Sequence, residues 1–196
     1  MQLRLLAGAV SLAGLLAATC ATAAPDSRRA SPPPSTVAAS PFANFFAIFT
    51  AIPRTTVEFS GNQKPGTVII STRERRLYLV LGNGQALRYG IGVGREGFTW
   101  SGTTTVTAKR EWPDWTPPEQ MLKRRPDLPR HMLGGPDNPL GARAMYLGDT
   151  MYRIHGSNEP NTIGTAASSG CIRLTNDDVI DLYNRVKIGA TVIVKQ

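Results

Sequence analysis

The stretch of sequence that decides the interpretation of this chain is Ser168-Ser169-Gly170-Cys171-Ile172-Arg173-Leu174. It contains one of only two cysteines, and His155, one of only two histidines, lies 16 positions upstream (171 − 155). A thiol within folding reach of an imidazole is the arrangement that nucleophilic catalysis by cysteine requires. A lone cysteine is more often a small buried hydrophobic residue, so the pair in isolation leaves a structural role open.

The N-terminus has the three parts of a secretory signal peptide. A positive start ending at Arg4 precedes an apolar run over residues 5–18, and residues 21–23, Ala-Thr-Ala, form a small-residue cleavage site. The apolar run is shorter than the roughly 18 residues expected of a spanning helix. We therefore expect residues 1–23 to be removed and the mature protein to be exported.

Export determines which partners Cys171 can have. Cys20 lies within the expected signal peptide, so its removal would leave Cys171 without a disulfide partner, although the compartment permits disulfides. A lipoprotein would instead keep Cys20 as its lipidated first residue. We do not expect lipidation, because residues 17–19, Ala-Ala-Thr, lack the Leu and the small residue that should precede such a cysteine.

The charge of the chain is compatible with an anionic polymer or a membrane surface as a partner, although a solvated basic surface accounts for most of these charges. Lys and Arg number 22 against 14 Asp and Glu, which gives a formal net charge of +8. Such a balance governs association more than fold. Nucleic acid is not expected as a partner, because the basic residues are dispersed and an exported protein rarely meets it.

Two segments of different composition precede the predicted domain. Residues 24–41 are rich in Pro, Ser and Ala, which predicts a disordered tether. Residues 42–64 form an apolar pre-domain segment, with phenylalanines at helical spacing up to Ile52: Phe42, Phe45, Phe46 and Phe49. This part either packs on the domain as a short helix or contacts a membrane surface or a partner.

The chain from residue 65 onward has the texture of a β protein. Two apolar runs flank Asn83-Gly84, a strong hairpin signal because the turn needs φ > 0 at both central residues. The predicted strands cover residues 67–71, 76–81, 85–91, 102–108, 144–147, 151–155 and 191–195. A turn is predicted at residues 148–150.

A helix and a long insertion complete the predicted elements. Residues 175–187 have Thr175 or Asn176 as a cap, acidic residues in the first turn and apolar residues three and four apart. Residues 112–141 are rich in Pro, Gly and Trp, with a possible short helix over residues 119–124. Such an insertion either lines a cleft or covers the core.

His155 and Cys171 supply the chemistry of a candidate active site. A free cysteine has a pKa of about 8.5 and attacks as the thiolate, so it needs a base. His155, at the end of a predicted strand, could take the thiol proton and then protonate a leaving amine. Gly170 permits a close backbone approach, and the amides of Gly170 and Cys171 could face a developing oxyanion. Arg173 could bind a substrate carboxylate or equally a structural one.

No metal or cofactor is expected at this site. One cysteine and two histidines without metal-type spacing provide few ligands for zinc. His131, in the insertion, has no partner comparable to Cys171, and we interpret it as structural.

The run His155-Gly156 followed by residues 168–174 resembles the signature of the L,D-transpeptidase catalytic domain family (YkuD-type), in which a histidine and an S-x-G-C-x-R segment form the active site. The likeness extends over residues 65–194 and includes residues 90–94 and 138–141. It implies a mainly β, β-sandwich-like fold with one helix after the cysteine and a loop or helix insertion. The catalytic domain would span residues 65–196.

The resemblance also implies a reaction in the bacterial cell wall. Cys171 would attack the peptide bond that follows the L-centre of meso-diaminopimelate in a peptidoglycan tetrapeptide stem. The terminal D-Ala would leave, and an amine would resolve the resulting thioester. Such an enzyme would work in the periplasm, associated with the wall.

The family's functional positions carry over residue by residue. His155 would be the base, and Gly156 would orient its imidazole through the backbone carbonyl. The oxyanion and substrate-binding positions would be Ser169, Gly170 and Arg173, together with the amide of Cys171. Many members have His where this chain has Ser169, which leaves any side-chain role at that position open.

Three functions are compatible with the resemblance. Transfer to an amine would give a 3-3 cross-link between stems, or attach an acceptor such as an outer-membrane protein or lipoprotein. Transfer to water would make the protein an L,D-carboxypeptidase. A non-catalytic peptidoglycan-binding module is disfavoured because His155 and Cys171 are both present.

Overall fold

The computed structural model of the protein describes residues 52–196. Their eleven strands are β1 (Thr55–Glu58), β2 (Val68–Ser71), β3 (Arg76–Gly82), β4 (Gln85–Gly90), β5 (Val93–Gly94), β6 (Gly102–Glu111), β7 (Arg143–Leu147), β8 (Arg153–His155), β9 (Ala166–Ser168), β10 (Ile172–Arg173) and β11 (Thr191–Lys195). The helices are α1 (Glu119–Arg124) and α2 (Asn176–Arg185), and a short 3-10 turn covers Pro160–Thr162. The expected signal peptide with Cys20, the tether and the phenylalanine-rich segment up to residue 51 lie outside the described residues.

The hairpin of β3 and β4 follows directly from its turn residues. Asn83 and Gly84 have φ values of 51° and 69°, the left-handed pair that a two-residue hairpin turn needs. The two strands pair antiparallel from Arg76 and Gly90 to the turn, with a register shift between Val80 and Gly82. The predicted hairpin is confirmed.

Strand β6 connects the two halves of the main sheet. The strand order is β1-β4-β3-β2-β11-β6-β7-β8-β10, and β5 pairs with β9 in a separate two-stranded sheet. The first part of β6 pairs with β11, and its second part pairs with β7 after a register shift between Val106 and Ala108. Because such a shift bends a strand, β6 turns the sheet around the core.

One hydrophobic cluster fills the space between the sheet halves and α2. It includes Leu77 on β3, Leu147 on β7, Ile154 on β8 and Ile172 on β10, all nearly inaccessible to solvent. Within residues 52–196, neither helix has the length and apolar character needed to cross a membrane. The expected fold, mainly β with one helix after Cys171, is confirmed.

Helix α2 corresponds to the helix predicted over residues 175–187. Of the two candidate caps, Thr175 fills the position, because its side chain accepts a hydrogen bond from the amide of Asp178 at 3.2 Å. Leu182 is fully buried against the sheet. The helix ends before the predicted boundary because Val186 adopts an extended conformation.

A polar cluster attaches the start of the described chain to α2. The guanidinium of Arg54 lies 3.2 Å from the carboxylate of Asp178 and 3.6 Å from that of Asp181. The hydroxyl of Tyr89 on β4 donates to Asp181 at 2.6 Å. These contacts fix the segment that leads into β1, and β1 itself pairs antiparallel with β4.

The sheet therefore begins earlier than the sequence indicated. Residues 55–58 lie within the expected pre-domain segment but add an edge strand to the main sheet. The predicted strand over residues 151–155 is shorter, starting at Arg153. Strands β5, β9 and β10 were not predicted, since two or three residues are too few to show a period of two.

Truncation of a core leucine should destabilise the fold strongly. Leu77→Ala removes a fully buried side chain and should lower the free energy of unfolding by about 2–5 kcal/mol, measured by urea denaturation. Leu133→Ala is the matched control, because Leu133 is 74% exposed and its truncation should change stability by less than about 0.5 kcal/mol. Equal effects of the two substitutions would contradict the assigned core.

Candidate active site

The parallel pairing of β8 and β10 brings the two candidate catalytic residues together. The register aligns Ile172 with Ile154 and Arg173 with His155. Ile154 and Ile172 face the core. Because side chains alternate along a strand, His155 and Arg173 lie on the opposite face, and Cys171, two residues before Arg173, is on that face as well.

His155 is held by the backbone carbonyl that the resemblance implies for it. The side chain is buried, and Nδ1 lies 2.6 Å from the carbonyl oxygen of Gly156. A carbonyl oxygen only accepts, so Nδ1 carries the hydrogen and donates it. In the neutral ring Nε2 is then the atom without a hydrogen, which makes it the acceptor for a proton.

Burial keeps the imidazole of His155 neutral. Loss of solvent lowers the pKa of His155 to about 3, and the positive charge of Arg173 acts in the same direction. The carbonyl oxygens of Gly156 and Leu140 oppose this shift only in part. At neutral pH the imidazole is therefore unprotonated and able to accept a proton, but its protonated form is unfavourable at this buried position.

Cys171 is a partly exposed free thiol. Its sulfur lies 3.9 Å from the carbonyl oxygen of Met151, to which the thiol donates, and not in a hydrogen bond with His155. Burial raises the pKa of the Cys171 thiol, while the N–H groups of Arg153 and the charge of Arg173 lower it. The resting pair is a neutral thiol beside a neutral imidazole.

Ser168 shapes the turn that presents the thiol. Its hydroxyl donates to the carbonyl of Cys171 at 2.6 Å and accepts from the amide of Gly170 at 3.1 Å. Ser168 is buried, with 2% of its surface exposed. Nothing in the sequence alone indicates that the Ser168 hydroxyl closes this turn.

Gly170 has to be glycine for two reasons. Its φ of 106° lies in the region that other residues avoid. A Cβ at this position would also lie 2.5 Å from the ring of Tyr152. That ring stacks on Trp100 with centroids 4.8 Å apart, and the indole N–H donates to the carbonyl of Gly170 at 3.0 Å. The aromatic pair thus supports the turn from one side.

The oxyanion position expected at Gly170 needs a correction. The amide of Gly170 already donates to the Ser168 hydroxyl, so it is not a free donor for a substrate. Within residues 52–196, the amides of Ser169 and Cys171 donate to no other protein group. These two amides are therefore the backbone donors of the turn that have no acceptor within the described part of the chain.

One buried asparagine, Asn138, ties together distant parts of the insertion over residues 112–141. The side-chain amide of Asn138 donates to the carbonyls of Pro113 and Leu133 at 3.1 and 3.0 Å. Its oxygen accepts from the amide of Leu140 at 2.8 Å. Because the Leu140 carbonyl acts on the imidazole of His155, the insertion reaches this candidate catalytic residue.

The two tryptophans of the insertion differ in exposure. Trp115 is buried and so covers the core, whereas Trp112 is 43% exposed. From α1, the guanidinium of Arg124 lies 5.5 Å from the ring of Phe98. The Phe98 carbonyl lies against Gly170, so α1 borders the segment that packs on the cysteine turn.

Arg173 is paired within the protein. Its guanidinium lies 3.3 Å from the carboxylate of Glu159, and its backbone exchanges two hydrogen bonds with Gly92, both at 2.9 Å. The sequence left open whether Arg173 binds a substrate carboxylate or one within the protein. In the structure its partner is a carboxylate of the protein, that of Glu159. Glu159 is well exposed, so the pair lies at the rim of the site.

The remaining histidine lies apart from the site. His131 contacts the hydroxyl of Thr116 at 3.2 Å and the carboxylate of Asp114 at 3.6 Å, on the exposed surface of the insertion. Within residues 52–196, no three His, Cys, Asp or Glu side chains are grouped as metal ligands would be.

Comparison with known proteins assigns the domain. The family model of the L,D-transpeptidase catalytic domain (YkuD) matches residues 65–194. The chain belongs to this family. The Probable L,D-transpeptidase ErfK/SrfK of Escherichia coli K12 is 38% identical over 134 residues, which cover 64% of this chain and 42% of that protein. The Probable L,D-transpeptidase YbiS of the same strain is 37% identical over 135 residues, covering 65% and 43%. The chain thus spans less than half the length of these L,D-transpeptidase relatives.

Solved structures agree on the fold of the L,D-transpeptidase family. An L,D-transpeptidase from Mycobacterium smegmatis has a TM-score of 0.54 at 18% identity, covering 66% of this chain and 58% of that one. A Brucella melitensis protein named Probable carnitine operon oxidoreductase caia is 48% identical, with a TM-score of 0.50, covering 73% and 93%.

The oxidoreductase name finds no support in the glycine-rich segment of this L,D-transpeptidase domain. Residues 92–97 have the letters G-x-G-x-x-G, which can mark a dinucleotide site when a helix follows. Here the segment leads into β6, a strand. A helix N-terminus to hold a pyrophosphate is therefore missing at this position.

The buried histidine should make the stability of the protein depend on pH. The pKa of His155 falls to about 3 in the folded protein. Between pH 6.5 and 3 the imidazole is therefore protonated in the unfolded chain but not in the folded protein. Because the unfolded state binds more protons, the free energy of unfolding rises with pH in this window. When the pH is lowered from 7 to 5, the free energy of unfolding of the wild type should fall by about 2 kcal/mol more than that of His155→Gln. Urea denaturation at both pH values measures this difference.

His131→Gln is the matched control for this experiment, since His131 lies on the exposed surface. It should keep the pH dependence of the wild type. A His155→Gln variant with the same loss between pH 7 and 5 as the wild type would argue against a buried neutral imidazole.

Proposed function

We propose that this protein is a cell-wall cysteine acyltransferase that acts on peptidoglycan stem peptides through Cys171. It would cleave the bond between meso-diaminopimelate and the terminal D-Ala of a tetrapeptide stem and transfer the acyl group to an amine. The observation that carries the proposal is the shared face of β8 and β10, which presents both a free thiol and a buried neutral imidazole. Membership of the L,D-transpeptidase family supports the same class of substrate.

Acylation would begin with proton transfer from the thiol to Nε2 of His155. As the sulfur attacks the carbonyl carbon, the new C–S bond forms and the carbonyl oxygen gains negative charge. The amides of Ser169 and Cys171 would stabilise this oxyanion. The C–N bond then breaks, the imidazolium returns its proton to the leaving amine of D-Ala, and a thioester on Cys171 remains.

The low pKa of His155 determines when the proton moves. A thiolate–imidazolium pair would be unfavourable at rest, because the buried ring resists a charge. Proton transfer is therefore expected to accompany the attack of the sulfur on the carbonyl carbon. The thioester is then resolved by an amine, which passes its proton to His155 as the C–S bond breaks.

Arg173 and Gly156 would have supporting roles. The carbonyl of Gly156 fixes the imidazole with Nε2 unprotonated. Arg173 would shape the rim of the stem-peptide pocket from its ion pair with Glu159. Neither role requires a metal or a cofactor.

The same proposal includes export to the periplasm. Residues 1–23 have the composition of a signal peptide, and the substrate lies outside the cytoplasmic membrane. The net positive charge suits a surface that works on an anionic wall. The acceptor would be an amine of a second stem or of a wall-attached protein.

Substitution of the nucleophile should abolish covalent labelling. Wild-type protein treated with a carbapenem should gain the mass of one adduct, and Cys171→Ala should gain none, measured by intact-mass spectrometry of the full chain. Cys20→Ala is the matched control and should label like the wild type. An adduct on Cys171→Ala would place the nucleophile elsewhere.

Purified muropeptides identify the reaction. Incubation of the full chain with tetrapeptide monomers should yield 3-3 linked dimers and free D-Ala, resolved by liquid chromatography and mass spectrometry. Shortened monomers without dimers would instead make the protein an L,D-carboxypeptidase. No conversion, by protein that still forms the carbapenem adduct, would reject this substrate.

A further inference from the structure

Arg153 lies beside the candidate nucleophile on the neighbouring strand. The register that aligns Ile172 with Ile154 places the preceding residues, Cys171 and Arg153, side by side. On its other side, Arg153 pairs with Tyr146 of β7. The three residues therefore form one row across β7, β8 and the start of β10.

Tyr146 holds the guanidinium of Arg153 within this row. The guanidinium carbon lies 5.0 Å from the centroid of the Tyr146 ring, a cation–π contact. The Nε atom is buried and has no hydrogen-bond partner among residues 52–196. Its position is therefore determined by stacking and by the strand pairing.

The charge of Arg153 is not neutralised by a neighbouring acid. Among the described residues 52–196, no carboxylate forms a salt bridge with Arg153. Arg173, on the same face, is paired with Glu159 at 3.3 Å. Of the two guanidiniums that act on the Cys171 thiol, Arg153 is thus the one whose charge has no acidic partner among residues 52–196.

The candidate mechanism needs such a charge. The buried His155 can accept a proton only transiently, so the imidazolium cannot hold a thiolate as a stable ion pair. A guanidinium stays protonated at every relevant pH. The N–H groups of Arg153 on backbone and side chain also lower the pKa of the Cys171 thiol, against the effect of burial.

We propose that Arg153 is a further catalytic residue, whose guanidinium donates to the Cys171 sulfur and stabilises its negative charge. This inference rests on the proposed acyl transfer. In acylation the charge appears as the thiol proton moves to His155 and the C–S bond begins to form. In deacylation it reappears as the C–S bond breaks and the thiolate leaves, before His155 returns the proton.

The pH dependence of the thiol involves a small set of groups. His155 and Arg153 face it from β8, and Arg173 with its partner Glu159 approaches from β10. Tyr152 packs on the adjoining Gly170. Of these groups only Arg153 combines a fixed charge with donors to the sulfur.

The test measures the alkylation rate of Cys171 by iodoacetamide as a function of pH. Iodoacetamide is uncharged, and peptide-level mass spectrometry of the full chain separates Cys171 from Cys20. Arg153→Gln should raise the thiol pKa, so alkylation at pH 8 should slow by on the order of tenfold. The rates of variant and wild type should converge at high pH, where both thiols are ionised.

Arg88→Gln is the matched control. Arg88 is also partly exposed with a buried, unpartnered Nε, but it lies on β4 in the other half of the sheet. Its replacement should leave the alkylation profile unchanged. Arg153→Lys keeps the charge but loses the planar guanidinium that stacks on Tyr146, so its alkylation rate should fall between those of Arg153→Gln and the wild type.

Two results would overturn the assignment. One is a folded Arg153→Gln variant that is alkylated with the same pH profile as the wild type. If KM for the stem peptide also rises in that variant, Arg153 would be a substrate-binding residue. The other is a tenfold loss in Arg153→Lys at an unchanged melting temperature. Alkylation by iodoacetamide needs no peptidoglycan. Failure of the muropeptide reaction would therefore reject the proposed function, while the alkylation rates would still test the effect of Arg153 on the thiol.

Discussion

The parallel pairing of β8 with β10 is the constraint on which the site depends. Ile154 and Ile172 are held in the core by the hydrophobic effect, and they fix the register of two very short strands. A slip of one residue would turn Cys171 into the core and expose Ile172. Burial of two isoleucines therefore sets the geometry of the His155–Cys171 pair, although neither isoleucine takes part in chemistry.

Close packing then connects this pair to the rest of the domain. A Cβ on Gly156 or on Gly141 would overlap the side chain of Asn176, the first residue of α2. That side chain accepts from the amide of Ala142 at 2.9 Å. The end of the insertion, the residue after His155 and the start of α2 therefore meet at one point. The Gly156 carbonyl that orients His155 is consequently positioned by three segments that are distant in sequence.

Local signals explain what could be predicted from the sequence. Asn83-Gly84 specified its hairpin and the apolar spacing after Thr175 specified α2, because both depend on neighbouring residues. The Cys171 motif, together with its resemblance to a known family, pointed to the fold. The use of Ser168 to close the turn could not be predicted, since it depends on which groups burial leaves within hydrogen-bond distance. The engagement of the Gly170 amide follows from the same contact.

The electrostatics of the site separate two tasks that one residue often performs. In a thiolate–imidazolium pair the histidine both takes the proton and compensates the charge. Here the burial of His155 lowers its pKa to about 3, so the ring suits brief proton transfer and not lasting compensation of a thiolate charge. A guanidinium costs little to keep charged at a partly exposed position, and Arg153 occupies one beside the sulfur. The two proposed roles fall on alternate residues of a single strand, because β8 presents both side chains on the face that carries Cys171.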